Sequence, residues 1–400
     1  MKEEPNHRLP RMRILAIMIG VGVLLPSVSP ADVTGAEPEK VMAVAQTKLL
    51  SERGSTRATR YAGTNKIASI AGKTHVAWLD SISNTMIATY DHSSGHWGQP
   101  IKVGSGTDNH GGPALTCDRH GHLHIIFGPH GDVPFQHCRS AKPNDASEWI
   151  KLDGFGHRPT YPSAVCDTDD SLHVIYRGGA SSGALRLIYQ RRTRDGVWSE
   201  PRSLARAPAE WKGYTHYHAS IVITTDQTLH VAFDLYFAGA AKHAGHMMSR
   251  DRGETWETAD GSALDLPVSV GSPALFASTD EAFKVVNVVC DSKGLPWISL
   301  ADARSKAGPT IYRHDGKNWS SFCPAGSLAT SITASELSFS GSLSIDSQDR
   351  IYIALTRGLR VVGGISGDVI LLYSRDRGKS FRHLGVFPPD VRLPHTGLSM

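Results

Sequence analysis

The chain has 400 residues, 40% of them hydrophobic and 20% charged, with a formal net charge of +4. That length is too great for one small domain, and so mild a basic excess excludes the dense cationic stripe of a nucleic-acid binder while leaning toward an anionic partner. The 39 Gly and 22 Pro lie outside any low-complexity tract, which points to many turns and an all-β fold of short strands.

Residues 1–36 read as a targeting segment and short linker. A basic stretch ending at Arg13 precedes the apolar run from Ile14 to Leu25, Pro26 stops it, and Ser27, Ser29, Ala31 and Ala36 offer small residues for cleavage. An apolar run of about 12 residues is short for a bilayer span. Residues 37–400 are therefore expected to form one exported domain, secreted or periplasmic, with no membrane contact after cleavage. An uncleaved anchor is the alternative.

A repeat then organises the chain. Each copy is a strand ending in Asp, a turn, and a strand carrying His or an aromatic residue. The first, shorter copy runs from Ile67 to Trp78. Ala114-Leu-Thr-Cys-Asp118 leads into His122–Phe127, Ala164-Val-Cys-Asp167 into Ser171–Tyr176, and Ile221–Asp226 into Thr228–Phe233. Val288-Val-Cys-Asp291 leads into Leu295–Leu300, and Leu343-Ser-Ile-Asp346 into Arg350–Leu355. Period-2 alternation makes each half a strand and each pair a hairpin.

Anchored on Asp118, Asp167, Asp226, Asp291 and Asp346, the spacings are 49, 59, 65 and 55 residues, room for a four-stranded propeller blade plus loops. Ser249-Arg-Asp-Arg-Gly-Glu-Thr-Trp256 and Ser374-Arg-Asp-Arg-Gly-Lys-Ser-Phe381 fit the Asp-box turn, with looser relatives at Tyr312–Trp319 and Arg194–Trp198. In that box the Asp closes the turn, the Gly takes a positive φ and the aromatic packs between blades. The expected fold is a seven-bladed propeller of four-stranded antiparallel sheets, with six blades the alternative. Met42–Ser51, Val268–Phe276 and Phe387–Leu398 would complete the seventh.

Five cysteines cannot form a complete disulfide framework. Cys117, Cys166 and Cys290 fall at one repeat position in different blades and read as small apolar residues. The mid-strand His124, His173 and His230 likewise read as structural.

In a hairpin, the start of the first strand and the end of the second share one end, which in a propeller opens on one face around the axis. The second blade puts Asp108-Asn-His110 and Gly128-Pro-His130 there. The third puts Arg158-Pro-Thr-Tyr161 and Arg177 there, and the fourth Tyr214-Thr-His-Tyr-His218 and Asp234-Leu-Tyr236. This set offers bases, phenols and a guanidinium but no pair of carboxylates, which disfavours a two-carboxylate glycosidase. It suits β-elimination from a uronic acid: Arg neutralises the carboxylate, His or Tyr removes the C5 proton, and Tyr protonates the leaving oxygen.

The Asp108-Asn-His-Gly-Gly-Pro113 segment, the Gly-Pro-His130 end, Tyr161 with Arg177, and the Ser-Arg-Asp-Arg-Gly box resemble the BNR-repeat propellers that include bacterial ulvan lyases. The resemblance covers residues 60–385 or so and implies a seven-bladed enzyme acting with two His, a Tyr and an Arg on one face. It implies that His110 is the general base, Tyr161 the general acid, and Arg177, assisted by His130, the neutraliser of the uronate. Asn109, Arg158, Tyr214, Tyr217 and His218 would complete the sugar site, with Tyr214, His216, Tyr217 and His218 competing for the fourth-blade role.

The implied partner is an acidic polysaccharide, without nucleic acid, and a monomer is expected. No cofactor is required; a structural metal at His243 and His246 is the one metal reading considered. A non-catalytic glycan-binding propeller and a sialidase-like glycoside hydrolase remain the competing functions.

Overall fold

The computed structural model describes residues 12–17 and 47–387, apart from 60, 62, 132, 180–184, 209–214, 217–218, 238–239, 280–282, 303–309, 325–336, 339–342 and 362–363. Six antiparallel sheets follow one another along the chain. Blade 1 comprises Ile67–Ile70, Lys73–Leu79 and Asn84–Asp91, with His96–Trp97 and Ile101–Ser105 on its outer edge. Blade 2 runs through Ala114–Cys117, Leu123–Phe127, Phe135–Lys142 and Asp145–Phe155, and blade 3 through Thr160–Cys166, Leu172–Gly178, Arg186–Arg192 and Arg202–Ala205. Blade 4 has Ala219–Ile223, Leu229–Phe237, Ala240–Ser249 and Leu275–Ser278; blade 5 has Phe283–Cys290, Pro296–Asp302, Thr310–His314 and Trp319–Phe322. In blade 6, Leu337–Ser338 and Leu343–Ile345 both pair with Ile351–Val361, followed by Gly364–Ser374 and Arg382–Phe387.

The first strands of blades 1 to 6 pack side by side in sequence, as spokes about an axis. The fold is a six-bladed β-propeller, so the seven-blade expectation gives way to its alternative. The described parts of the segments assigned to a seventh blade are used elsewhere, and residues 42–46 and 388–398 of those segments lie outside the described residues. Thr47–Gly54 pairs with Met12–Ile17 in a separate two-stranded ladder. Leu275–Ser278 is the outer strand of blade 4, and Phe387 ends the outer strand of blade 6. Of residues 1–36, expected to be a targeting segment, Met12–Ile17 lies within the described residues. No helix among the described residues is long and apolar enough to cross a membrane.

The repeat aspartates close the inner hairpins. Asp118 Oδ1 accepts the N–H groups of His120 at 3.0 Å and His122 at 2.8 Å, and Asp167 Oδ1 those of Asp169 at 2.9 Å and Ser171 at 2.8 Å. Asp291 and Asp346 repeat the pattern at offsets of two and four residues. Blade 4 departs from the expected anchor. There Thr224, not Asp226, occupies the position: its N–H donates to Thr228 O at 3.0 Å and its hydroxyl accepts the Thr228 N–H at 3.1 Å. The hydroxyl serves one of the same donors, and Asp226 Oδ1 shares it, lying 3.3 Å from the Thr228 N.

The mid-strand histidines are structural, as their repeat position suggests. His173 Nε2 lies 3.1 Å from Asp167 Oδ2, His124 Nε2 lies 3.4 Å from Asp118 Oδ2, and His230 meets His246 at 3.1 Å. That last contact bears on the proposed metal pair. His243 and His246 are three apart on a stretch of strand that pairs in unbroken register with Ala232–Leu235, so their side chains leave opposite faces of the sheet. His243 bonds Ser278 Oγ at 2.8 Å while His246 is buried against His230. The two cannot share an ion, and the expectation of a metal there is withdrawn.

Between blades, apolar side chains interleave. Ile175, Leu187 and Tyr189 of blade 3 join Ile221, Val231, Phe233 and Met247 of blade 4 in one buried cluster, each worth about 1.5–3 kcal/mol in area removed from water. The Asp boxes anchor the same seams. In the first, Gly253 N–H donates to Ser249 Oγ at 2.8 Å, Thr255 N–H donates to Asp251 Oδ1 at 2.8 Å, and Trp256 packs edge-on to Tyr189 at 5.5 Å. The second box repeats these bonds, and its Phe381 stacks on Phe322 at 5.8 Å. Cys117, Cys138, Cys166 and Cys290 are free thiols, and burial pushes those of Cys117, Cys166 and Cys290 up.

Gly253 combines a positive φ of 89° with a space in which a Cβ would stand 2.3 Å from the Tyr189 ring. Gly253→Ala should therefore destabilise the protein by more than about 2 kcal/mol, read as a lower urea midpoint with an unchanged slope.

Candidate active site

At the open end of the blade 2 hairpin two backbones nearly touch. A Cβ on Gly111 would fall 2.3 Å from Gly128 O, and Thr107 N–H donates to that same carbonyl at 3.3 Å. Only glycine at 111 permits this approach, and it brings the segment before Ala114 against the one after Phe127. As a result the His110 and His130 rings stack with centroids 4.0 Å apart and 15° between planes.

Asp108 ties the pair together. Its Oδ1 accepts the His110 backbone N–H at 2.7 Å, and its Oδ2 lies 3.2 Å from His110 Nδ1 and 2.9 Å from His130 Nδ1. Burial pushes the Asp108 carboxyl up, but the His110 N–H and the two imidazoles outweigh it and hold the group below its ordinary value. His110 is pulled down to about 4, first by burial, then by the charges of His130 and Arg57, against the opposing pull of Asp108.

Blade 3 supplies the next two residues. Thr160 pairs with Arg177 and Ser163 with Ile175, a register shift that leaves one extra residue between them. Tyr161 sits in this bulge with φ 58°. A bulge re-aims a side chain that regular alternation would direct elsewhere, and here the Tyr161 ring comes within 6.5 Å of His110 and 6.3 Å of His130 between centroids. The buried Arg177 guanidinium lies over the Tyr161 ring at 4.5 Å.

Two further residues join the cluster from the segment before blade 1. Tyr61, φ 67°, stacks on Tyr161 with centroids 3.9 Å apart, and Arg57 Nη1 donates to the Tyr61 hydroxyl at 2.8 Å. This segment is stitched into the axis. The buried Lys66 ammonium, which burial pulls down to about 7, bonds Tyr61 O at 3.0 Å, Thr64 O at 3.2 Å and the Thr64 hydroxyl. Ser163 Oγ meets Gly63 O at 2.7 Å and Asn65 Oδ1 at 2.8 Å, and Leu115 N–H donates to Asn65 O at 2.6 Å.

His110, His130, Tyr161 and Arg177 are thus brought together. Asn109 turns aside, its amide donating to Thr56 Oγ1 at 3.3 Å, which holds the two segments of the site in register. Arg158 is half-buried on left-handed backbone, φ 48°, three residues before Tyr161. Tyr214, Tyr217 and His218 lie outside the described residues. Their neighbour Thr215 is buried and its carbonyl accepts the Tyr236 N–H at 2.8 Å. Arg57 and Tyr61 were missed because they precede the first repeat copy and belong to no hairpin.

Asp108, His110 and His130 form the one group among the described residues whose three ligand atoms lie within 4.8 Å of one another. Those atoms already satisfy each other, Nδ1 to Oδ2.

Residues 73–325, more than half the chain, match the model of the BNR repeat-containing family, and the chain belongs to that family. It is 26% identical over 302 residues to an ulvan lyase of Alteromonas sp. (strain LOR), covering 62% of this chain and 61% of that protein. A second ulvan lyase, from Nonlabens ulvanivorans, is 30% identical over 161 residues, 34% of each chain. The chain thus spans about three fifths or less of the curated relatives it matches. Among solved structures it resembles a PL25 ulvan lyase bound to -[GlcA(1-4)Rha3S]-, with TM-score 0.67, 18% identity, and coverage of 84% of this chain and 85% of that one. That likeness supports the propeller fold.

If the Gly111–Gly128 approach assembles the histidine pair, Gly111→Ala should drive the hairpin ends apart. A crystal structure of the variant should show the two ring centroids well beyond 4.0 Å and the Asp108 bridge to one ring lost.

Proposed function

We propose that the protein is an exported polysaccharide lyase that cleaves a uronic-acid-containing polymer of the ulvan kind by β-elimination. The observation that carries this reading is the convergence of two stacked imidazoles, a phenol and a buried guanidinium within about one sugar ring. The similarity to ulvan lyases and the basic-apolar-small leader support the substrate and the export.

The chemistry follows from the groups. Arg177, with His130, meets the uronate carboxylate and withdraws charge from C5, making its proton acidic. His110 takes that proton. The C5 electron pair forms the C4–C5 double bond as the C4–O4 bond breaks, and Tyr161 gives its phenolic proton to the departing O4. The Arg177 cation over the Tyr161 ring lowers the energy of the phenolate left behind. Arg158, Tyr214, Tyr217 and His218 would hold the neighbouring sugars, with Asn109 acting through the segment it fastens. Hydrolysis by paired carboxylates is disfavoured, because Asp108 is committed to both imidazoles.

Digestion of ulvan should release product absorbing near about 235 nm, and His110→Ala and Tyr161→Phe should each slow its release at least about 10²-fold. No absorbance from ulvan or other uronate polymers would contradict the lyase reading. Retention of polymer without turnover would mark a binding propeller, and new reducing ends without absorbance a hydrolase.

A pH dependence follows as well. A base must be unprotonated to act, and His110 is held at about 4, so it is available throughout the neutral range. The acidic limb of kcat/KM should fall near pH 4, not near the ordinary histidine value of 6.5. A limb at the ordinary value would show that His110 is not the base or is not so buried.

A further inference from the structure

Asp108 has no role in the scheme above, yet it bonds both imidazoles of the site. One carboxylate oxygen, Oδ2, faces Nδ1 of both rings at 3.2 and 2.9 Å, while Oδ1 is fixed by the His110 N–H at 2.7 Å. An ionised carboxylate only accepts, so each Nδ1 that faces it carries the proton. In a neutral imidazole the other nitrogen is then bare.

We propose that Asp108 is the positioning residue of the site: it locks His110 and His130 in the Nδ1–H tautomer, so that both present Nε2 on the side away from the carboxylate. This rests on the lyase reading for its catalytic meaning, though not for the tautomers themselves. For His110 the lock supplies what a base needs, a lone pair on the outer nitrogen, with no alternative tautomer to dilute it. For His130 it sets a condition. A neutral His130 has no N–H left for the uronate carboxylate, so in that role it acts as an imidazolium, Nε2–H to the substrate and Nδ1–H to Asp108 as counter-ion. The stacked geometry lets one carboxylate serve both rings, and it divides the work: the ring bearing the extra proton binds charge and its neighbour removes a proton.

The first test does not depend on activity. Nitrogen-15 spectra of the histidine-labelled protein, with His110 and His130 assigned by substitution, should show His110 as the Nδ1–H form with unprotonated Nε2. An Nε2–H form of His110 would overturn the proposal whatever the activity. The second is Asp108→Asn, nearly isosteric. It should lower kcat about 10–100-fold, the range for partners that orient a working imidazole, and should convert part of His110 to the Nε2–H form. An unchanged kcat in a variant that melts like the parent would overturn it. So would loss of parent activity in chelator with recovery on added Zn²⁺, because the three groups would then be holding an ion. If the tautomers are as stated but no uronate polymer is cleaved, the lock stands and the lyase reading fails.

Discussion

The inner hairpins of blades 2 to 6 are each tied at one end by a side-chain oxygen, from Asp118, Asp167, Thr224, Asp291 or Asp346, that accepts the backbone N–H four residues on. Where the oxygen is a carboxylate, such bonds contribute about 1.5–3 kcal/mol each. Their positional consequence is larger. With one end of every hairpin closed by a turn, the other is left to open around the axis, and whatever residues flank the two strands there face a common space. His110, His130, Tyr161 and Arg177 are neighbours in space because of a turn at the far end of the same strands.

Bringing them to working distance takes strain at two tyrosines. Tyr61 and Tyr161 both sit on left-handed backbone, φ 67° and 58°, a conformation costing about 1–3 kcal/mol for a residue with a Cβ. Each is held by something stronger. Tyr161 is fixed by the bulge, by Arg177 over one ring contact and by Tyr61 through another. Tyr61 is fixed by the Lys66 ammonium on its carbonyl and by Arg57 on its hydroxyl. The Ser163–Gly63–Asn65 contacts join the two halves across blades 1 to 4, since Ser163 Oγ also accepts the Ile221 N–H at 3.3 Å.

The propeller was legible because its determinants are local and repeated. An Asp, a tight turn and alternating apolar residues recur with chemistry that any one copy explains, and the Asp boxes fold as their residue types require. The blade count was less legible, because Thr47–Gly54 and Leu275–Ser278 have the pattern of strands without any mark of which sheet they join. For the same reason Asp226 passed for an anchor that Thr224 provides, since both can accept the same N–H. At the site, hairpin geometry put on one face the four residues whose side chains come together. It could not reveal Tyr61 and Arg57, which lie on a non-repeating segment and reach Tyr161 only through the folded axis. The His243–His246 pair failed on parity, three residues being an odd step along a strand.

The account stands or falls on how the polymer is cut. Elimination and hydrolysis leave chain ends that differ by one water, and only elimination leaves a vinyl proton at C4 of the new non-reducing end. Mass and proton spectra of the oligosaccharides released from ulvan should show fragments lighter by one water with that vinyl signal. Saturated, fully hydrated ends would contradict the account.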